Sequence, residues 1–380
     1  VLIFTGFLDA VRDGGTDFAT QFFSGFATTP PAYEAWAWFA FAIALSAVII
    51  FRGIQGGIET ANKIMIPAVF VLLAALLVRV VMLPGAWKGF EYMFHVNPQD
   101  FFSAKIWLAA FTQAAWSSGA GWGMFHVYYV YAAKDEDIEL NAFTVTFGDM
   151  VAAMLAGMVV LPAVFALSPD PEAVMKAGAN GLTFVHLTNL FAHTSGGFVM
   201  AVLFFLALFS AALSSVIAML ETGTRNLIDM GFSRVKATMC VAIFFLFVGS
   251  FSALDNRVFE NQDMVWGVGL LVVGLIYSLA SLKYGVDKLW EEDIMPCSDI
   301  HVKWMWSCIK FFPFEFAFVW GWWMWEASTW YPGEWFKFWP ITKYQYTPGS
   351  MVVEWGIIAL VCLLLNGVIS KRLVHTNKID

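Results

Sequence analysis

Within the apolar stretch Ile106–Tyr131 stands Ser117-Ser118-Gly119-Ala120-Gly121-Trp122-Gly123, a run that no continuous helix would choose. The stretch is apolar enough to cross a bilayer, but three glycines in five residues weaken helix locally, each by about 1 kcal/mol relative to alanine. Lipid offers the backbone no hydrogen bonds, so an unwound segment at membrane depth survives only where protein or a water-filled cavity satisfies its polar groups. A broken membrane helix of this kind points to a binding site.

Outward from the break, the chain is written for lipid. Of its 380 residues 59% are hydrophobic and 13% charged, against about 25% charged in soluble domains. Apolar runs close to the roughly 20 residues needed to cross a hydrocarbon core recur about nine times. They cover 33–51, 58–83, 105–131, 139–167, 196–228, 233–254, 262–285, 302–326 and 350–371. The expected fold is an all-α polytopic membrane protein, multi-pass in the cell (plasma) membrane. The net charge of −8 is spread thinly through loops with no basic cluster, which argues against nucleic acid as a partner. Cys240, Cys297, Cys308 and Cys362 lack metal-type spacing and read as buried small hydrophobes.

The opening Val1–Leu8 has no basic n-region and reads as the tail of another helix rather than a signal peptide. The polar, Pro- and Gly-containing stretch Arg12–Pro31 then reads as a connector. The Lys and Arg bias places the C-terminus inside. The connection Ser168–Gly197 carries Pro169, Pro171, Gly178 and Gly181 and is expected to form short helices capping the outer face, as a lid or as an inert cap. Tryptophans crowd Trp320–Trp339, the composition of an aromatic belt at a membrane boundary.

Polar groups inside spans are costly and default to functional hypotheses. Asp149 is the one carboxylate deep within its span, at whose edge Glu139 stands. It must ionise beside a cation, or stay protonated in a structural hydrogen bond. Gln113 and Ser117 lie one turn apart on the broken helix and can face one pocket. Ala211, Ser214 and Ser215 fall at i, i+3 and i+4, so one helix face offers a carbonyl and two hydroxyls. Such a pair is also a common packing contact, because serine bonds its own i−4 carbonyl. Met219 continues the stripe, which Asp229 ends at the inner boundary. Hydroxyls, a carboxylate and freed carbonyls are the ligands that a hard cation such as Na+ takes.

Several segments, in order, resemble the neurotransmitter:sodium symporters, particularly the prokaryotic amino-acid-transporting branch. They are Gly57-Ile58-Glu59 with Asn62–Pro67, then Gln113–Gly123 and Lys134-Asp135-Glu136-Asp137-Ile138. Lys176-Ala177-Gly178, Ala211-Ala212-Leu213-Ser214-Ser215 and Tyr284–Glu292 follow. The resemblance runs over essentially the whole chain and implies the inverted-repeat, five-plus-five transporter fold, here lacking helices one to three. On that pattern 1–31 is the end of helix three with an extracellular loop, and 32–104 holds helices four and five. The second repeat, helices six to ten, occupies 105–285, and 286–380 holds helices eleven and twelve with the C-terminus. A chain without the first helices is expected to be an N-terminally truncated fragment.

By the same resemblance, Ala211, Ser214 and Ser215 belong to one sodium site, and Ser117 and Asp149 to the other, where the family usually has Asn in place of Asp149. Trp116, Ser117, Gly119, Trp122, Ser215 and Met219 match substrate-binding positions, and Tyr131, Asp229 and Asp263 match gating positions. The basic partner of Asp229 is expected upstream of this chain. Gln113, Ser117, Asp149 and Ala153 match the chloride site of chloride-dependent members, which carry Ser where this chain has Ala153. Asp149, one turn earlier, supplies a negative charge instead. The implied function is sodium-coupled, chloride-independent import of a small amino acid. A transport-inactive homologue serving as a binding or accessory membrane protein is the alternative. An enzyme is not expected, since His95, His126, His186, His193, His301 and His375 are scattered rather than clustered with acids at one face.

Overall fold

A computed structural model describes residues 6–119, 121–133, 135–176 and 178–376, and all regular structure among them is helical. Seven unbroken helices are long and apolar enough to cross a membrane: Tyr33–Phe51, Ile54–Val81, Ile138–Leu167, Gly197–Asp229, Arg234–Leu254, Asn256–Tyr284 and Pro348–Arg372. The other two expected spans are interrupted. One stops at Ser117 and resumes at Met124. The other is split into Lys303–Ser307, a 3-10 turn Cys308–Lys310, and Phe312–Trp330, where Pro313 can sit because the first turn of a helix needs no N–H from it.

We number the helices used below α1 (Phe7–Phe23), α2 (Tyr33–Phe51), α3 (Thr60–Val81), α4 (Ala86–Phe94), α5 (Ala104–Ser117), α6 (Met124–Tyr129) and α7 (Ile138–Leu167). After them come α8 (Leu187–Ala192), α9 (Gly197–Asp229), α10 (Arg234–Leu254), α11 (Asn256–Tyr284), α12 (Phe312–Trp330) and α13 (Pro348–Thr376). The chain divides into two compact units: residues up to Asn97 with Met150–Leu220 and Ala242–Asp255, and Pro98–Asp149 with Glu221–Val241 and Asn256 onward.

In the first unit, most of the stretch read as a connector is helix. Phe7, Val11, Phe18 and Phe22 recur near helical spacing, and Phe7 and Val11 are buried in a core with Leu76, Val80, Val164, Leu187 and Phe191. The Phe7 and Phe22 rings meet edge to face at 4.6 Å. α1 is kinked at Gly15 (φ +62°), and the polar residues that suggested a loop, Arg12, Asp13, Thr16, Asp17, Thr20 and Gln21, are exposed along it. Arg12 Nε donates to the Ala192 carbonyl at 2.7 Å, and Arg79 Nη2 donates to the Ser195 carbonyl at 2.6 Å. Two guanidinium groups thus hold the end of α8, in the connection that does fold into short helices as expected.

In the second unit, Trp323 Nε1 donates to Thr112 Oγ1 at 2.9 Å, tying α12 to α5. Trp320, Trp323 and Trp330 pack around Val265, Val268, Ala327 and Met351, so these tryptophans serve a core as well as any belt. Trp325 and Trp339 are exposed. The cysteine expectation is corrected: Cys240, Cys308 and Cys362 are exposed and Cys297 half-buried, all as free thiols. A span carries apolar residues on its lipid face too, so apolar context did not imply burial.

Ahead of α7, the Asp137 carboxylate accepts the N–H groups of Asp299 at 2.8 Å and Leu140 at 2.9 Å. These two bonds, the Asp299 bond first, hold its pKa below the ordinary value. A depressed carboxylate stabilises the fold above its unfolded pKa and loses that contribution as pH falls through the folded value. Amide exchange at 298–302 is therefore expected to stay slow down to about pH 4, the ordinary aspartate range, and to accelerate only below it. Acceleration already at pH 5 would refute the anchor.

Candidate functional site

The break is built by glycine. Gly119, Gly121 and Gly123 have φ of +73°, +82° and +78°, left-handed values that side chains resist. At Gly121 a Cβ would also lie 2.6 Å from the Leu270 carbonyl oxygen of α11, so absence of a side chain permits that approach. Residue 120 lies outside the described residues. Three local bonds span the turn: Ser118 N–H to Ala114 O at 3.0 Å, Gly119 N–H to Trp116 O at 3.4 Å and Trp122 N–H to Gly119 O at 3.2 Å.

On the near side of the break, Ser117 Oγ donates to Asp149 Oδ2 at 2.5 Å. That length is in the range of an O–H···O⁻ bond. Among the described residues no Lys, Arg or His forms an ion pair with Asp149, and the carboxylate is half-buried. Its second oxygen can take a cation. Trp116 and Trp122 meet edge to face at 5.1 Å, and Trp116 packs against Gly267 of α11. Trp122 Nε1 is buried without a hydrogen-bond partner among the described residues. Buried indole N–H groups normally find an acceptor, which makes this one available to a ligand. Gln113 is exposed.

On α9, Ser214 Oγ and Ser215 Oγ donate to the Ala211 carbonyl at 2.8 and 3.3 Å, gathering three oxygens on one face. Each hydroxyl keeps acceptor lone pairs. Ala211 and Ser215 are exposed, Ser214 and Met219 half-buried. Both serines make the intrahelical bond to the preceding turn that serine commonly makes in a helix. Ala153, on α7, is exposed and offers no hydroxyl.

The gating residues divide. Asp229 pairs with Arg225 on its own helix at 2.6 Å, a local partner the resemblance did not supply. The Arg225 guanidinium lies over the Tyr131 ring, 5.2 Å from its centroid. Tyr131 Oη donates to Glu221 Oε1 at 2.8 Å, and Arg234 grips both Glu221 oxygens at 3.0 Å. Glu221 is fully buried. Sequence reasoning passed over Glu221, Arg225 and Arg234, although a lone carboxylate inside the apolar run of α9 was the available signal. Asp263 stands apart, exposed and without an ion-pair partner among the described residues.

Comparison with known proteins places the chain in a family. The model of the sodium:neurotransmitter symporter family matches residues 34–376. An uncharacterized sodium-dependent transporter of Methanocaldococcus jannaschii is 33% identical over 272 residues, 69% of this chain and 55% of that protein. The sodium- and chloride-dependent glycine transporter 2 of Xenopus laevis is 25% identical over 84% of this chain and 41% of its own length. The chain thus spans about half the length of the relatives it matches. The crystal structure of MhsT in complex with L-phenylalanine superposes with a TM-score of 0.68 at 26% identity, over 82% of this chain and 74% of that one.

Proposed function

We propose, for a chain that belongs to the sodium:neurotransmitter symporter family, that the whole protein imports a small amino acid on the sodium gradient, independently of chloride. It is a multi-pass membrane protein. The observation that carries the proposal is the Ser117–Asp149 contact at the break. A carboxylate without a basic partner at membrane depth is expensive unless a cation joins it.

One sodium ion is assigned to Ser117 and Asp149, a second to Ala211, Ser214 and Ser215. The substrate residues are Trp116, Ser117, Gly119 and Trp122 on the broken helix, and Ser215 and Met219 on α9. The aromatic side chains favour an apolar substrate side chain, as in the L-phenylalanine complex of MhsT. Because Ser117 and Ser215 are assigned to both ion and substrate, binding of either favours the same closed state, which is what coupling requires. Tyr131, Asp229 and Asp263 are the gating residues, with 105–285 as the second repeat, 1–104 belonging to the first and 286–380 carrying the last two helices. Alternating access then exposes the loaded site to each side in turn.

The negative charge of Asp149 stands in for the anion that the glycine transporter's name records. Replacing chloride by gluconate is therefore expected to leave sodium-driven uptake in proteoliposomes unchanged within about twofold, less than 0.5 kcal/mol. Strong loss of uptake would overturn chloride independence. Sodium-dependent binding without uptake would favour an accessory protein.

A further inference from the structure

We propose that Glu354 is a positioning residue that locks the N-terminal half of α11, the helix carrying Asp263, at one register against α13. Glu354 interrupts an apolar run on α13, where an ionisable group is costly. No base pairs with it among the described residues; side-chain amides of α11 occupy both its oxygens instead. Asn261 Nδ2 donates to Oε1 at 2.8 Å and Gln262 Nε2 to Oε2 at 2.9 Å.

The two amide carbonyls are already engaged. Asn261 Oδ1 accepts the Tyr346 N–H at 2.7 Å, and Gln262 Oε1 accepts Trp266 Nε1 at 2.9 Å. Both amides therefore present donors, and the matching group must accept twice and donate nothing. An ionised carboxylate does that and a carboxamide does not. Asn261 is fully buried, so an unmatched donor there would find no water. One residue beyond Glu354, Trp355 Nε1 donates to the Val265 carbonyl at 3.1 Å and lies over Gly269, where a Cβ would be only 3.1 Å from that nitrogen. Contacts at 261, 262, 265 and 269 fix both the height and the rotation of α11.

Asp263 lies two residues after Asn261, about 200° round the helix, and is exposed. The lock thereby sets the face on which Asp263 is offered to a partner. This step rests on the reading of Asp263 as a gating residue.

The test compares the wild type with Glu354→Gln and with the exchanged pair Gln262→Glu/Glu354→Gln, in which the donor and the acceptor trade helices. In proteoliposomes, Glu354→Gln is expected to speed amide exchange over 256–268 about tenfold. It should also raise the substrate KM several-fold while leaving kcat within about twofold, as removal of a binding-state interaction does. The exchanged pair should return both readouts toward wild type. Unchanged exchange in Glu354→Gln, or an exchanged pair as loose as the single variant, overturns the proposal. The expected exchange pattern in a protein that shows no sodium-driven uptake would uphold the lock and refute the transporter reading.

Discussion

Asp149→Asn is expected to lower sodium-driven uptake about 100-fold, close to 2.7 kcal/mol at 1.36 kcal/mol per tenfold. Two losses combine. The Ser117 hydroxyl gives up a hydrogen bond to a charged acceptor, now 2.5 Å long and of a kind worth about 1.5–3 kcal/mol. The ion assigned there also loses an anionic ligand. Asn preserves shape, so the loss should fall on sodium affinity rather than on folding, and the sodium concentration for half-maximal uptake should rise. Chloride is expected to restore little in the single variant, because Ala153 has no hydroxyl to hold an anion. Adding Ala153→Ser should recover part of the uptake in chloride and none in gluconate. Uptake by Asp149→Asn within twofold of wild type would remove the carboxylate from the ion site.

The largest loss of stability is expected from Arg234→Ala. Glu221 is fully buried, and its charge is balanced by the bidentate Arg234 contact, both bonds at 3.0 Å, with Tyr131 adding a third at 2.8 Å. Removing the guanidinium leaves a buried carboxylate uncompensated, which typically costs about 3–5 kcal/mol. Arg234→Lys should recover only part, since a point charge cannot reproduce the fork. Glu221→Leu/Arg234→Met, which removes both charges, should restore most of the melting temperature, giving a large coupling energy in the double-mutant cycle. If Arg234→Ala melts like wild type, the pair is not what holds this end of α9. The restored double variant also isolates the gate: Tyr131 keeps its packing but loses both its acceptor and the Arg234 donor.

Legibility in the sequence followed the range of the interaction. The spans emerged because hydropathy is a property of consecutive residues, and their bounds lie within a few positions of helices such as Tyr33–Phe51 and Arg234–Leu254. The interruption at 117–123 emerged because glycine acts on its own backbone. The Ala211–Ser214–Ser215 face follows from helical period alone. The misreadings were of facing. Arg12–Pro31 looked like a connector because its polar face is dense, while the Phe7, Val11, Phe18 and Phe22 stripe that makes much of it a helix only gains meaning against Leu187 and Phe191. The cysteines looked buried because an apolar span does not announce which side meets lipid.

By itself, the order of residues determined an all-helical membrane chain, the place where one helix breaks, and the oxygen-bearing face of another. Those are consequences of local propensity and of period. Tertiary structure alone decided which donors answer which carboxylate: Arg234 and Tyr131 for Glu221, Asn261 and Gln262 for Glu354. These partners stand 13 to 93 residues apart. No local periodicity encodes such pairings, because a buried polar group is satisfied by whatever the packing of distant helices brings within hydrogen-bond reach.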